Sequence, residues 1–187
     1  MISVNTLVSH NQIVIRSIEK NLELEQWGDE NVEFGMLWHK NYVVLDPLVE
    51  DSFGAYFLIE SSSAITNDEN AQRSALIPFE VTEVDQLVIS TVAESIHLYE
   101  NSEVDVEEEK KKGKSYPLNN GESFNVEPGS YNIHFQVCIG QPAGIELDED
   151  EVYYRFNFIK TDNPQFKVLE SDEYGWEPST PLLEGKR

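Results

Sequence analysis

Large apolar side chains alternate with polar ones on both sides of a Pro-Gly pair between Glu122 and Cys138. That pattern restricts the fold more than any other stretch of the chain. Phe124 and Val126 alternate before Pro128-Gly129, and Tyr131, Ile133, Phe135 and Val137 alternate after it. Period-two alternation flanking a turn predicts a β-hairpin with one buried face. Proline presets φ for the turn, and glycine takes the positive φ that closes it. Tyr131, Ile133, Phe135 and Val137 then point into a core, with Asn132, His134, Gln136 and Cys138 pointing away. A slip of one residue would expose every large side chain, so the register is firmly set.

The rest of the chain reads the same way. Val4 to Val8 and Gln12 to Ile18 are strands around the polar corner Ser9-His10-Asn11, and Trp38 to Leu45 is another, ending at Asp46-Pro47. Phe53 to Glu60 is a strongly apolar central strand. Ser74 to Thr82 contains Pro78, which removes a ladder donor and marks an edge strand or a bulge. Gln86 to Val92, Ser95 to Glu100, Val152 to Lys160 and Phe166 to Glu170 complete the set. Between Trp27 and Gly35 a short helix is expected, with Asp29 as its cap and Gly35 closing it. The fold class is therefore all-β: an antiparallel β-sandwich of about nine to eleven short strands with one or two short helices.

A chain of 187 residues suits one such domain, here residues 1–170. The stretch 101–118 is a charged insertion, read either as a short helix or as a hairpin tip. Residues 171–187 form a weakly ordered tail, with Tyr174 and Trp176 available to dock on the surface.

The formal net charge of −22, from 35 acidic and 13 basic residues, repels nucleic acid and anionic membrane and attracts a basic partner or divalent cations. Solubility alone is the competing explanation. Cys138 is the single cysteine, so no intrachain disulfide forms and a reducing, cytoplasmic location is expected. The N-terminus shows neither a basic leader nor an apolar core of a signal peptide, and no apolar run reaches the roughly 18 residues that span a bilayer. His10, His39, His97 and His134 are scattered, and no phosphate loop, nucleophile elbow or redox cysteine pair is present. No catalytic residue, metal ligand or cofactor is assigned, and an enzyme is the weaker reading.

Two acidic clusters remain: Asp29, Glu30 and Glu33, and then Glu146, Asp148, Glu149, Asp150 and Glu151. Each is read as a solvated loop or as a charge decoy, and calcium is a further reading, although Asp148-Glu149-Asp150-Glu151 lacks the staggered donors and glycine of a calcium loop. Carboxylates spaced along a strand recur about every 6–7 Å and so imitate a row of phosphates. Trp27, beside the first cluster, is either a core tryptophan or an aromatic anchor. A rival from another class is a ligand-binding sandwich for carbohydrate or calcium, presenting Trp38, Tyr42, Tyr153 and Tyr154 on a flat face.

Several separated pieces resemble the competence protein J family of DNA-entry nuclease inhibitors. They are Ser9-His10-Asn11-Gln12 with the Ile13-Val14 strand, Trp27 to Gly35, Ile77-Pro78-Phe79-Glu80-Val81-Thr82-Glu83, and Phe124 to Val137. They follow the family's order across roughly residues 4 to 160. The resemblance implies an acidic, non-enzymatic protein that binds and silences a metal-dependent DNA nuclease, either in DNA uptake or as immunity against a nuclease toxin. The insertion 101–118 and the tail beyond Lys160 depart from the family pattern.

Overall fold

The computed structural model describes residues 1–8, 10–49, 55–99, 105–115, 124, 126–172 and 176–185. Two six-stranded sheets face each other. One sheet contains β1 (Ile2–Thr6), β5 (Ala55–Ser61), β6 (Ala71–Val81), β10 (Gly129–Gly140), β11 (Glu151–Lys160) and β12 (Lys167–Glu170), in the order β1-β5-β11-β10-β6-β12. The other contains β2 (Ile13–Arg16), β3 (Met36–His39), β4 (Tyr42–Leu45), β7 (Val88–Ser90), β8 (Ser95–His97) and β9 (Lys114–Ser115), in the order β3-β4-β2-β7-β8-β9. Two short helices, α1 (Asp29–Phe34) and α2 (Val106–Lys110), lie outside the sheets. Among the described residues, no helix is long and apolar enough to cross a membrane.

The all-β sandwich stands, with three differences from the expected strands. The run Trp38 to Leu45 is part of a hairpin, β3 and β4 turning at Lys40-Asn41, so the described strands number twelve. The sheets are not wholly antiparallel, since β5 pairs with β11 and β8 with β9 in parallel. Pro128-Gly129 does not turn a hairpin: Phe124 and Val126 are outside any strand, and β10 begins at Gly129. The partners of β10 are β6 and β11. The Tyr131 hydroxyl accepts from the Glu127 N–H at 3.2 Å and donates to the Glu127 carbonyl at 2.9 Å. That bracket lets Phe124 and Val126 enter the core without a ladder. Glu122, Ser123 and Asn125 lie outside the described residues, as do parts of the expected 53–60 strand and of the 101–118 insertion.

The core forms where the alternating residues of both sheets meet. Tyr131, Ile133, Phe135 and Val137 interdigitate with Ile13, Ile15, Val43, Leu45 and Ile89 from the facing sheet. The opposite side of β10 is not solvated as its polar residues suggest, because His134, Gln136 and Cys138 are buried too. The strap from Ser61 to Asn70 covers them: the Asp68 N–H donates to Gln136 Oε1 at 2.7 Å, and Arg155 bridges Asp68 and Glu60 at 3.1 and 2.9 Å. Pro78 is tolerated because β12 pairs with β6 only around Ser74 to Leu76, leaving an edge beyond. In the tail, Trp176 is buried against Phe135 rather than docked on the surface, and Tyr174 lies outside the described residues.

Candidate protein-interaction site

The first acidic cluster sits on α1. Gly28, not Asp29, occupies the cap position, and Asp29 and Glu30 fall in the first turn, where helix N–H groups favour carboxylates. Gly35 closes the helix at φ +70, where a Cβ would lie 3.0 Å from the Leu48 side chain. Asn31 and Phe34 face inward, and Asn31 donates to the Met36 carbonyl at 3.3 Å. That orientation leaves Asp29, Glu30, Val32 and Glu33 exposed. Trp27 is half-buried over the outer face of the β2–β4 sheet, against the cluster of Val14, Leu37, Tyr42 and Val44. One side of Trp27 packs, and the other faces a cavity.

That cavity, about 220 Å³, is lined by His10, Asn11, Gln12, Trp27, Val32 and Asp46. His10 and Asn11 turn the chain with φ of 59° and 49°, the left-handed region that Asn tolerates better than most residues. Asp46 accepts from the Leu48 N–H at 2.8 Å, and its own N–H donates to the Gly35 carbonyl at 2.9 Å, so the end of β4 is tied to the end of α1. Burial pushes the Asp46 carboxyl above its ordinary range, with the Leu48 N–H and then Arg73 opposing that shift. Three chain segments far apart in sequence meet here. Nothing in the spacing of His10, Asn11, Gln12, Val32 and Asp46 marks them as one site, although Ser9 to Gln12 and Trp27 to Gly35 are both distinctive stretches.

The second cluster lies in the loop joining β10 to β11. Gln141 shapes it, donating to the Glu149 carbonyl at 3.0 Å and to Asp150 at 3.2 Å and accepting from the Leu147 N–H at 3.1 Å. Ile145 anchors the loop on the cluster of Leu58, Ala71, Cys138 and Tyr153, and Glu146, Asp148, Glu149, Asp150 and Glu151 remain exposed. The register places both clusters at one end of the sandwich. Thr6 pairs with Ala55 beside the Tyr153–Tyr56 row, so this loop leaves its sheet where β1 ends. Residues 7–12 then carry the chain to Ile13, which pairs with Leu45, as does Met36 at the exit of α1. Among the described residues, no hydrogen bond or ion pair engages the side-chain carboxylates of Asp29, Glu30, Glu33, Glu146, Asp148, Glu149 or Glu151. No lysine or arginine occurs between Lys20 and Lys40 or between Lys114 and Arg155, so neither cluster has a basic residue near it in sequence.

Trp38, Tyr42, Tyr153 and Tyr154 do not form the flat exposed face of the ligand-binding alternative. Tyr42, Tyr153 and Tyr154 are wholly buried, and Trp38 donates its indole N–H to the Pro78 carbonyl at 2.7 Å. Among the described residues, no three His, Cys, Asp or Glu side chains converge as metal ligands.

A model of the family described as Competence protein J (ComJ) matches residues 5–159. The chain belongs to the competence protein J family. The crystal structure of ComJ from Bacillus subtilis, inhibitor of the DNA-degrading activity of NucA, superposes with a TM-score of 0.55 at 15% identity, covering 85% of this chain and 95% of that one. No curated protein matches the chain. The family match spans both the His10–Gln12 corner and α1, and runs through the β10–β11 loop.

Proposed function

We propose that this family member silences a DNA-degrading nuclease by laying the acidic end of the sandwich over the nuclease's basic DNA-binding cleft. It acts as a binding partner and not as an enzyme. The observation that carries this reading is the family match over residues 5–159, in a chain whose two acidic clusters, neither with a basic residue near it in sequence, leave the same end of the fold. ComJ of Bacillus subtilis, which shares the fold, inhibits the DNA degradation carried out by NucA. Rows of exposed carboxylates on α1 and on the β10–β11 loop supply the negative field that a phosphate-binding, metal-dependent cleft attracts. The protein works in a reducing cytoplasm, consistent with a Cys138 thiol that burial pushes up to about 12 and so keeps protonated.

The test replaces Asp29, Glu30 and Glu33 by Asn or Gln, and Glu146, Asp148, Glu149, Asp150 and Glu151 likewise, in a single variant. Charge steering predicts association with the nuclease slowed by about tenfold or more at low salt, with a flatter salt dependence. Equal association rates for the wild type and the neutralised chain would rule out the decoy surface.

A further inference from the structure

We propose that the cavity between Trp27 and Asp46 receives a single arginine side chain from the partner nuclease. This rests on the inhibitor reading above and names the anchor within it. A space of about 220 Å³ falls below the roughly 300–1,000 Å³ of small-molecule sites and suits one side chain. Its lining offers each part of an arginine a place. Val32 is 60% exposed on α1 and presents an apolar wall for the methylene stem. The Trp27 ring offers a face for the planar guanidinium to stack on. The Asn11 and Gln12 amide oxygens are acceptors for its N–H fork, and Asp46 supplies the counter-charge.

Among the described residues, the cation acting on Asp46 is Arg73, which is already engaged by the Leu48 carbonyl at 3.1 Å and by Asp172 at 3.6 Å. A second cation at Asp46 is therefore electrostatically welcome, and Asp29 and Glu30 on the exposed first turn of α1 reinforce the attraction. A lysine would bring the charge but not the fork or the stacking plane. Interfaces concentrate binding energy in such central pockets, and arginine is among the residues that fill them most often.

The test needs no nuclease. The full chain, labelled with nitrogen-15, is titrated with the peptide acetyl-Gly-Arg-Gly-amide and with its lysine and norleucine counterparts. The proposal predicts a saturable shift of the Trp27 indole N–H with the arginine peptide, weaker with lysine and absent with norleucine. Asp46→Asn keeps an oxygen for the Leu48 N–H but removes the charge, and should weaken arginine binding by about tenfold. No saturable shift, or equal affinity in Asp46→Asn, overturns the anchor. If the chain inhibits a nuclease and Asp46→Asn inhibits it equally well, the anchor fails while the inhibitor reading stands. If the arginine peptide binds as predicted and no nuclease is inhibited, the pocket's arginine chemistry stands and the inhibitor reading fails.

Discussion

Trp176 donates its indole N–H to the carbonyl oxygen of Phe34 at 3.2 Å, joining the tail to the last turn of the helix that carries the first acidic cluster. The ring is 2% exposed and lies 5.6 Å from Phe135, in the middle of β10. Truncating it leaves a large void and an unpaired helix carbonyl. Trp176→Ala should destabilise the fold by about 3–5 kcal/mol. Trp176→Phe, which loses the donor but keeps a ring, should lose about 1–2 kcal/mol. Urea unfolding measures both, and a loss below about 1 kcal/mol for the alanine variant would mean that the tail does not belong to the core.

Gly35 predicts a second local effect. Its φ of +70 and the 3.0 Å approach of Leu48 leave little room for a Cβ. Gly35→Ala should cost about 1–2 kcal/mol and move α1, lowering inhibition along with stability. An alanine variant as stable as the parent would show that this helix end tolerates another conformation.

Acid sensitivity follows from His134. Burial, followed by the Arg155 charge, lowers its folded pKa to about 4 from the ordinary 6.5. Its Nε2 meets the Ser74 hydroxyl at 3.1 Å, and its Nδ1 is buried with no partner among the described residues. Between pH 6.5 and 4 the unfolded chain binds a proton that the folded chain refuses, so stability rises with pH across that window and is lost on acidification. The contribution is about 3 kcal/mol. His134→Gln should flatten the pH dependence of unfolding between pH 4 and 6.5. His97, also lowered to about 4, preserves part of the slope.

The strap from Ser61 to Asn70 is held by polar contacts. Asp68 accepts from the Tyr153 hydroxyl at 2.6 Å, from the Asn70 N–H at 3.0 Å and from Arg155 at 3.1 Å. Asp68→Ala leaves Arg155 with Glu60 alone and takes the acceptor from the Tyr153 hydroxyl, and should cost about 1.5–3 kcal/mol. Hydrogen exchange should show the strap amides losing protection before those of β10 do. Simultaneous loss would make the strap part of the global folding unit.

The strands were legible where side-chain polarity alternates, as in β10, whose core-facing residues Tyr131, Ile133, Phe135 and Val137 follow the sequence pattern one by one. Pairing was not. Pro128-Gly129 carries turn chemistry, yet β10 finds its partners in β6 and β11, a tertiary choice that local φ preferences do not encode. The polar face of β10 misled for a related reason: His134 and Gln136 meet the strap, so polarity there marks hydrogen bonding and not exposure. Asp29, Glu30, Glu33 and the 146–151 carboxylates could be picked out by charge alone. The cavity could not, because it exists only when the His10–Gln12 corner, α1 and Asp46 are brought together by the fold. Trp176 was hidden by the Pro- and Gly-bearing composition around it, which reads as tail.

The central claim is inhibition of a nuclease by direct binding, and plasmid degradation tests it most directly. A NucA-type nuclease from the organism of origin is assayed while this chain is titrated in at several magnesium concentrations. The account predicts inhibition complete near a stoichiometric ratio and unchanged by excess magnesium. Plasmid degradation that continues at every ratio, or inhibition that excess magnesium abolishes because the acidic chain merely sequesters metal, would contradict it.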